Sequence, residues 1–221
     1  PHRRDGLRRA RTGGAGVSGR DDVGADWPVT LRGVTESVVA TLGPNDRWNQ
    51  AALGLHAPDD DDPVTAVTWG KTRTRGNFER RGGGVIQFTT DPREFVDAAL
   101  DVTETDEPVR DGAVAWVDVD ARRIEEGVDE GTEWVRWALT PRSATVRDSP
   151  VPTINRGFYA VVDATVAASR LDVPAFDTGT LLDRLDYFAE TVERCGGPAE
   201  REAFARIDEL TGWRDRRNES F

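Results

Sequence analysis

The stretch VTAVTWGKTRTRGNFERR, residues 64–81, contains Lys71, the only lysine of the chain. Gly-Lys-Thr at residues 70–72 also ends the nucleotide-binding P-loop, which needs another glycine with four residues between it and this Gly-Lys pair. That position is Thr65. The intervening residues are β-branched, small or aromatic, which predicts a strand and not a phosphate loop. The stretch therefore argues against an ATPase or GTPase.

The segment after this predicted strand has the residue types of an anion site. It combines positive charges with hydroxyl donors, in the order Lys71, Thr72, Arg73, Thr74 and Arg75. A helical turn that begins here would also aim free backbone N–H groups at an anion. The alternative interpretation is a solvated, charged turn.

The composition describes a very acidic globular protein. The 221 residues carry a formal net charge of -11, with 37% hydrophobic and 31% charged residues. High Asp and Glu, abundant Arg and a single lysine resemble the cytoplasmic proteins of salt-loving archaea, because an acidic, hydrated surface stays soluble where salt screens repulsion. A generic acidic protein is the alternative. We predict a halophilic protein.

Several function classes are disfavoured by what the sequence lacks. Cys195 is the only cysteine, so no intramolecular disulfide is expected. His2 and His56 lie far apart, which argues against zinc and against a Ser/His/Asp catalytic set. No apolar run approaches the roughly 20 residues that span a bilayer, and no signal-peptide pattern is found. We expect a cytoplasmic protein with no membrane partner and no metal.

The region from Trp27 to about Arg147 has the pattern of β-strands separated by turns. The predicted strands are residues 34–42, 48–57, 64–69, 84–90, 112–125 and 133–147, the last two forming a hairpin across 126–132. Residues 91–100 predict a short helix, with Asp91 as N-cap, Pro92 at the first helical position and Glu94 at the capping-box position. Several strands with one short helix predict a small barrel and not a parallel sheet.

After about Pro150 the period becomes helical. Helices are predicted at residues 155–171, 179–197 and 198–212, the first with Phe158, Val161, Val162 and Val166 on one face. We therefore predict an α+β protein. Its parts are a disordered Arg/Gly-rich tail at 1–26, a barrel domain at 27–148 and a three-helix domain at 149–221. Such a basic tail can bind nucleic acid, but salt would weaken that binding, so a nucleic-acid partner is disfavoured.

Three segments resemble a known family. VTWGKTRTRGNF, VIQFTTDPREFVDAAL and INRGFYAVVDATVAASRL, in this order, are similar to the archaeal domain-of-unknown-function family 447. Its members resemble the flavin reductases and share their FMN-binding split β-barrel. The resemblance spans Val34 to Gly212 and implies a homodimer with FMN between two copies. The family often has Asn-x-Ala-Pro-Met-Gly where this chain has NQAALG at 49–54, and an Asn where this chain has Gln87.

The resemblance also implies which residues hold the cofactor. The phosphate, with a charge near -2, would be bound by Lys71, Thr72, Arg73, Thr74 and Asn77. The flavin ring would lie against the segment with Asn49, Ala51 and Leu53, near Thr89, with Asn155 and Arg156 at the start of the first C-terminal helix. Small core residues of a strand, and a helix cap with a surface ion pair, are the alternatives for the ring contacts.

The sequence thus predicts an FMN-binding flavoprotein of the flavin reductase-like class. It would be an oxidoreductase if NAD(P)H or a deazaflavin supplies electrons, with the redox chemistry carried by the flavin itself. A nicotinamide would have to bind transiently, because no Rossmann G-x-G-x-x-G fingerprint is present. A non-catalytic flavin carrier and a pterin-pathway protein are the alternatives. No catalytic residue is assigned.

Overall fold

The computed structural model of the protein describes residues 21–24, 26–58, 62–129 and 131–219. The predicted disordered tail falls mostly outside these ranges. Within it, Asp21–Gly24 forms a short strand, β1, that pairs with the last long strand of the chain. The partner strand lies more than 100 residues away, so local composition could not reveal this pairing.

The remaining strands match the predicted ones closely. They are β2 Val34–Leu42, β3 Trp48–His56, β4 Val64–Trp69, β5 Gly83–Thr89, β6 Thr103–Thr105, β7 Ala113–Asp129 and β8 Thr132–Val146. The short β6 was not predicted. The β7–β8 hairpin is also longer than predicted, since its strands stay paired out to Asp129 and Thr132.

Six strands close into an antiparallel barrel in the order β8-β4-β3-β2-β5-β7, because β7 pairs back onto β8. The two other strands extend the sheet, β1 beside β8 and β6 beside β3. Aliphatic and aromatic side chains fill the interior. Trp137 is among the largest of them, with its ring edge-on to Phe78 and its Nε1 donating to Thr68 Oγ1 at 3.0 Å. The predicted barrel is confirmed.

Two helices interrupt the strands, α1 Arg73–Arg81 and α2 Pro92–Leu100. Asp91 caps α2 as predicted, because its Oδ1 accepts from Arg93 N at 2.9 Å. Glu94 does not close the predicted capping box. Its Oε1 instead accepts from Gly112 N at 3.0 Å, while Asp91 N donates to Thr89 Oγ1. Glu94 therefore ties α2 to the loop before β7, a partner that is remote in sequence.

The C-terminal region contains α3 Arg156–Ala168, α4 Thr178–Cys195, α5 Pro198–Thr211 and α6 Trp213–Glu219. The predicted helical region is confirmed, and α6 adds a short fourth helix to the predicted three. Across the described ranges, no helix has both the length and the apolarity that crossing a bilayer requires.

Helix α2 joins the barrel to the C-terminal helices. Val96 lies in the core of the helical region, whereas Phe95 and Ala98 pack against Val38 of β2 and Val162 of α3. Opposite sides of one short helix thus contact two cores, so the helices are held against the outside of β2 and β3.

The buried face of α3 differs from the predicted one. Val161 is buried as predicted, but Phe158, Val162 and Val166 are only half-buried, and alanines occupy most of the interface. The reason is close packing: a Cβ on Gly157 would come within 2.5 Å of Gly196 Cα. Helices that approach so closely need small residues where they meet, so the larger side chains lie at the margin.

Candidate functional site

The site begins where β4 turns into α1. Gly70 has a φ of +69°, a conformation that residues with a side chain rarely adopt, and its N–H donates to Glu133 O at 2.7 Å. Thr72 then caps α1 by accepting from Arg75 N at 3.2 Å. The predicted strand and helical turn are therefore both present, and Lys71 lies directly before the helix N-terminus.

One face of α1 borders an open cleft of about 440 Å³. Arg73, Gly76, Asn77 and Arg80 recur at the three- and four-residue spacing of a single helix face. The rest of the lining comes from Lys71 and Thr72, from Gly43, Pro44 and Asn45 in the β2–β3 turn, from Asn49 on β3 and from Glu104 on β6. The barrel thus places one turn, two strands and a helix N-terminus around one space.

The cleft is positively charged in an acidic protein. The first turn of α1 has no acidic residue, so no carboxylate of the helix itself offsets the partial positive charge of its N-terminus. Lys71 is exposed and forms no ion pair within the described ranges. With Arg73 and Arg80 the cleft holds three cationic side chains against the single carboxylate of Glu104. This balance favours an anion of more than one charge.

Asn49 is the most informative residue of the cleft. Its exposed fraction is only 6%, and its side-chain amide has no hydrogen-bond partner among the described residues. Its amide atoms still reach the solvent of the cleft, because the fully buried polar atoms without a partner among the described residues are Arg110 Nε and Trp213 Nε1. The accessible part of Asn49 faces the cleft, so this amide is available to a ligand there.

Asn77 and Arg80 act as a pair. Asn77 Nδ2 donates to Thr41 Oγ1 at 3.0 Å, which fixes α1 to β2, and Asn77 Oδ1 accepts from Arg80 Nη2. Asn77 therefore aims Arg80 along the cleft. Arg80 was not among the predicted site residues, although its position seven residues after Arg73 places the two on one face of a full helix.

Arg75 does not face the cleft. Its guanidinium pairs with Glu79 and Glu133 at 3.3 and 3.1 Å, on another side of α1. It lies two positions after Arg73 in the sequence, and this spacing places side chains on different faces of a helix. Arg75 was predicted to contribute charge to the anion site, but its guanidinium is paired with carboxylates outside the cleft.

The structure brings together five of the predicted site residues, namely Asn49, Lys71, Thr72, Arg73 and Asn77. The others lie elsewhere. Thr74 is on the buried face of α1, Leu53 lies in the barrel core and Ala51 packs against that core. Thr89 ends β5, and its Oγ1 lies 3.1 Å from Glu94 Oε2 and from Gly112 O.

The two predicted site residues at the start of α3, Asn155 and Arg156, lie outside the cleft at α1. Asn155 caps this helix by accepting from Gly157 N and Phe158 N at 2.8 and 3.2 Å, which agrees with the alternative interpretation of a helix cap. Arg156 is exposed on the first turn. Neither borders the cleft at α1.

The chain matches two family descriptions in sequence. Residues 35–148 match "Protein of unknown function (DUF447) N-terminal domain", and residues 155–209 match "Protein of unknown function (DUF447)". A structure of an FMN-bound protein of this family from Methanosarcina mazei has 23% identity and a TM-score of 0.70, covering 81% of this chain and 96% of that one.

More distant structures include flavoproteins. The flavin reductase of styrene monooxygenase from Pseudomonas putida S12 has 11% identity and a TM-score of 0.37, covering 54% of this chain and 93% of that one. Flavoredoxin from Methanosarcina acetivorans has 8% identity and a TM-score of 0.36, covering 60% and 98%. The first family match alone spans more than half of the sequence, and the second follows it in the C-terminal helices. The protein therefore belongs to the family of proteins of unknown function DUF447.

Proposed function

We propose that the protein binds FMN and holds its phosphate in the cleft at the N-terminus of α1. The observation that carries the proposal is the grouping of three cationic side chains, Lys71, Arg73 and Arg80, around one cleft at this helix N-terminus. The accessible amide of Asn49 adds a donor to the same cleft. Family membership adds support, because the relative from Methanosarcina mazei holds FMN. Without the comparison, the same site would indicate a phosphate ligand but not the flavin.

The donor set fits a phosphomonoester. Such a group has a charge near -2 and several acceptor oxygens, so it needs charge and N–H or O–H donors in one place. The ammonium of Lys71 and the guanidiniums of Arg73 and Arg80 supply the charge. The Thr72 hydroxyl keeps its proton free for donation, because its oxygen is the atom that accepts from Arg75 N.

Each side chain has a distinct task in this proposal. Lys71, which forms no ion pair with a carboxylate in the described ranges, would neutralise the phosphate directly. Asn77 would hold Arg80 in position and keep α1 against β2. Asn49 would donate to a phosphate or ribityl oxygen. When bound, the flavin ring supplies the redox chemistry.

The test is a comparison of FMN with riboflavin, which lacks the phosphate. Lys71→Ala should weaken FMN binding by about ten- to a hundredfold, since a hydrogen bond to a charged group contributes roughly 1.5–3 kcal/mol. Riboflavin binding should be unchanged in the same variant. Arg122→Ala is the control, because Arg122 is an exposed base on β7 that does not border the cleft. Wild type that binds no FMN would refute the proposal.

We further propose that the flavoprotein is an oxidoreductase and a homodimer. Mixing FMN-loaded protein anaerobically with NADH, NADPH or a reduced deazaflavin should bleach the flavin absorbance. If none of these donors reduces the flavin, the carrier alternative is favoured. The cleft itself is compatible with exchange of the ligand, because Lys71, Thr72 and Arg73 are all exposed.

A further inference from the structure

Glu104 is the one carboxylate among the described residues that line the cleft. It lies on β6, directly opposite Asn49 of β3 in the strand register. Its Oε1 accepts from Arg73 Nη1 at 3.1 Å, and its Oε2 accepts from Asn45 Nδ2 at 3.1 Å. A negative group thus already occupies two of the donors that surround this space.

The backbone of Glu104 is fixed from several sides. Arg47 Nη2 donates to Glu104 O at 3.0 Å, and Gln50 Nε2 donates to the neighbouring Thr105 Oγ1 at 2.8 Å. Gln50 is itself held by Gln87 Nε2 at 2.9 Å, inside the barrel wall. Strand β6 therefore cannot easily withdraw, and the carboxylate can leave the donors only by rotation of its side chain.

The ion pair between Arg73 and Glu104 is weak enough to exchange. The two side chains are 54% and 29% exposed, and water screens ion pairs of this kind strongly. A phosphate with a charge near -2 attracts Arg73 more strongly than a carboxylate does at the same distance. The two anions would also repel each other if both remained beside Arg73.

We propose that Glu104 is an intramolecular anion that occupies part of the phosphate site and lowers the affinity of the cleft for its ligand. This inference rests on the proposed function, because it assigns the cleft to a phosphate. When phosphate enters, Arg73 and Asn45 exchange the carboxylate for phosphate oxygens. Glu104 thereby keeps the ligand exchangeable, although the cleft is cationic.

The test is Glu104→Gln, which preserves the shape of the side chain and removes its charge. The variant should bind inorganic phosphate and FMN about three- to tenfold more tightly than wild type, from the loss of one unit charge at close range. Riboflavin binding should not change. Glu107→Gln is the matched control, because it removes a charge three residues further along the chain, after β6, at a residue that does not border the cleft. It should leave all three affinities unchanged.

A second variant tests whether Glu104 acts by competing for Arg73. If it does, the increase in phosphate affinity caused by Glu104→Gln, expressed as a logarithm, should fall to less than half when Arg73→Gln is also present. An undiminished gain would contradict competition at Arg73. Equal or weaker phosphate binding by Glu104→Gln would also overturn the inference, and weaker binding would indicate that Glu104 positions Arg73 for the ligand.

The phosphate measurement separates this inference from the proposed function. If wild type binds no FMN but Glu104→Gln binds phosphate more tightly, the FMN proposal fails and the role of Glu104 stands. If FMN binds both proteins equally, with phosphate also unaffected, the FMN proposal stands and the role of Glu104 fails. If neither protein binds phosphate, the cleft is not an anion site and the inference is wrong.

Discussion

At the residue scale, Asn49 and Gln50 show two different uses of a buried amide. Gln50 is 1% exposed and fully paired, donating to Thr105 Oγ1 and Pro108 O and accepting from Gln87 Nε2. Asn49 is almost as buried, but its amide has no partner in the described part of the chain. The first amide stabilises the fold, whereas the second is the one that we propose as a ligand donor.

This contrast predicts opposite effects of two leucine substitutions. Gln50→Leu should lower the free energy of unfolding by about 1–3 kcal/mol, because it removes the acceptor of Gln87 Nε2 and the donor to Thr105 Oγ1 and Pro108 O. Asn49→Leu should change it by no more than roughly 0–1 kcal/mol in the stabilising direction, because it removes an amide that is already unpaired. Urea unfolding of the ligand-free proteins measures both. FMN binding should be lost in Asn49→Leu, and an Asn49→Leu protein as destabilised as Gln50→Leu would contradict this assignment.

At the scale of elements, the N-terminus of α2 carries the connection between barrel and helices. Asp91 caps the helix and also pairs with Arg93 at 2.8 Å, and Arg93 reaches Glu202 of α5 at 2.7 Å. Hydrogen bonds from Arg93 hold the pKa of Asp91 below its ordinary value, although partial burial opposes this shift. One short segment therefore couples local capping to the packing of two helices.

We expect Asp91→Ala to lower the free energy of unfolding by about 1 kcal/mol, as loss of an N-cap typically does. Because the pKa of Asp91 is lower in the folded state, its charge stabilises the protein above the ordinary Asp pKa. That contribution is lost as the pH falls through the ordinary pKa towards the lowered one. Asp91→Asn keeps a capping side chain and should lose less stability, with a flatter acid limb in thermal melts. Identical acid limbs in wild type and Asp91→Asn would contradict the prediction.

At the scale of the whole molecule, a strongly acidic chain must still present apolar surface to any partner copy. Val151, Ile154 and Tyr159 are 85%, 93% and 53% exposed and lie together in sequence at the start of α3. A net charge of -11 opposes association at low ionic strength, and salt screens this repulsion. Salt should therefore favour association through apolar side chains.

We predict a homodimer in molar salt, measured by light scattering during gel filtration. Ile154→Asp should shift the protein towards monomer, because it places a charge in the proposed apolar contact. Val102→Asp is a control at another exposed apolar position, on the loop after α2. A wild-type monomer that binds FMN tightly would refute the homodimer, and a dimer insensitive to Ile154→Asp would place the interface elsewhere.

The sequence by itself determined most of the elements and their order, although it did not predict β1, β6 and α6. Alternating apolar residues in β2 to β5 and the caps at Asp91 and Asn155 are local signals, and these strands and helices formed close to the predicted bounds. It also predicted that Lys71, Thr72 and Arg73 lie together, and they do line one cleft, because they are consecutive and one helix N-terminus positions them. Only the tertiary structure decided what surrounds them. Asn49, Arg80 and Glu104 lie on β3, α1 and β6, and barrel closure brings these elements to one cleft. Whether an amide lacks a partner, or a carboxylate meets an arginine, depends on such long-range neighbours, which local sequence patterns do not contain.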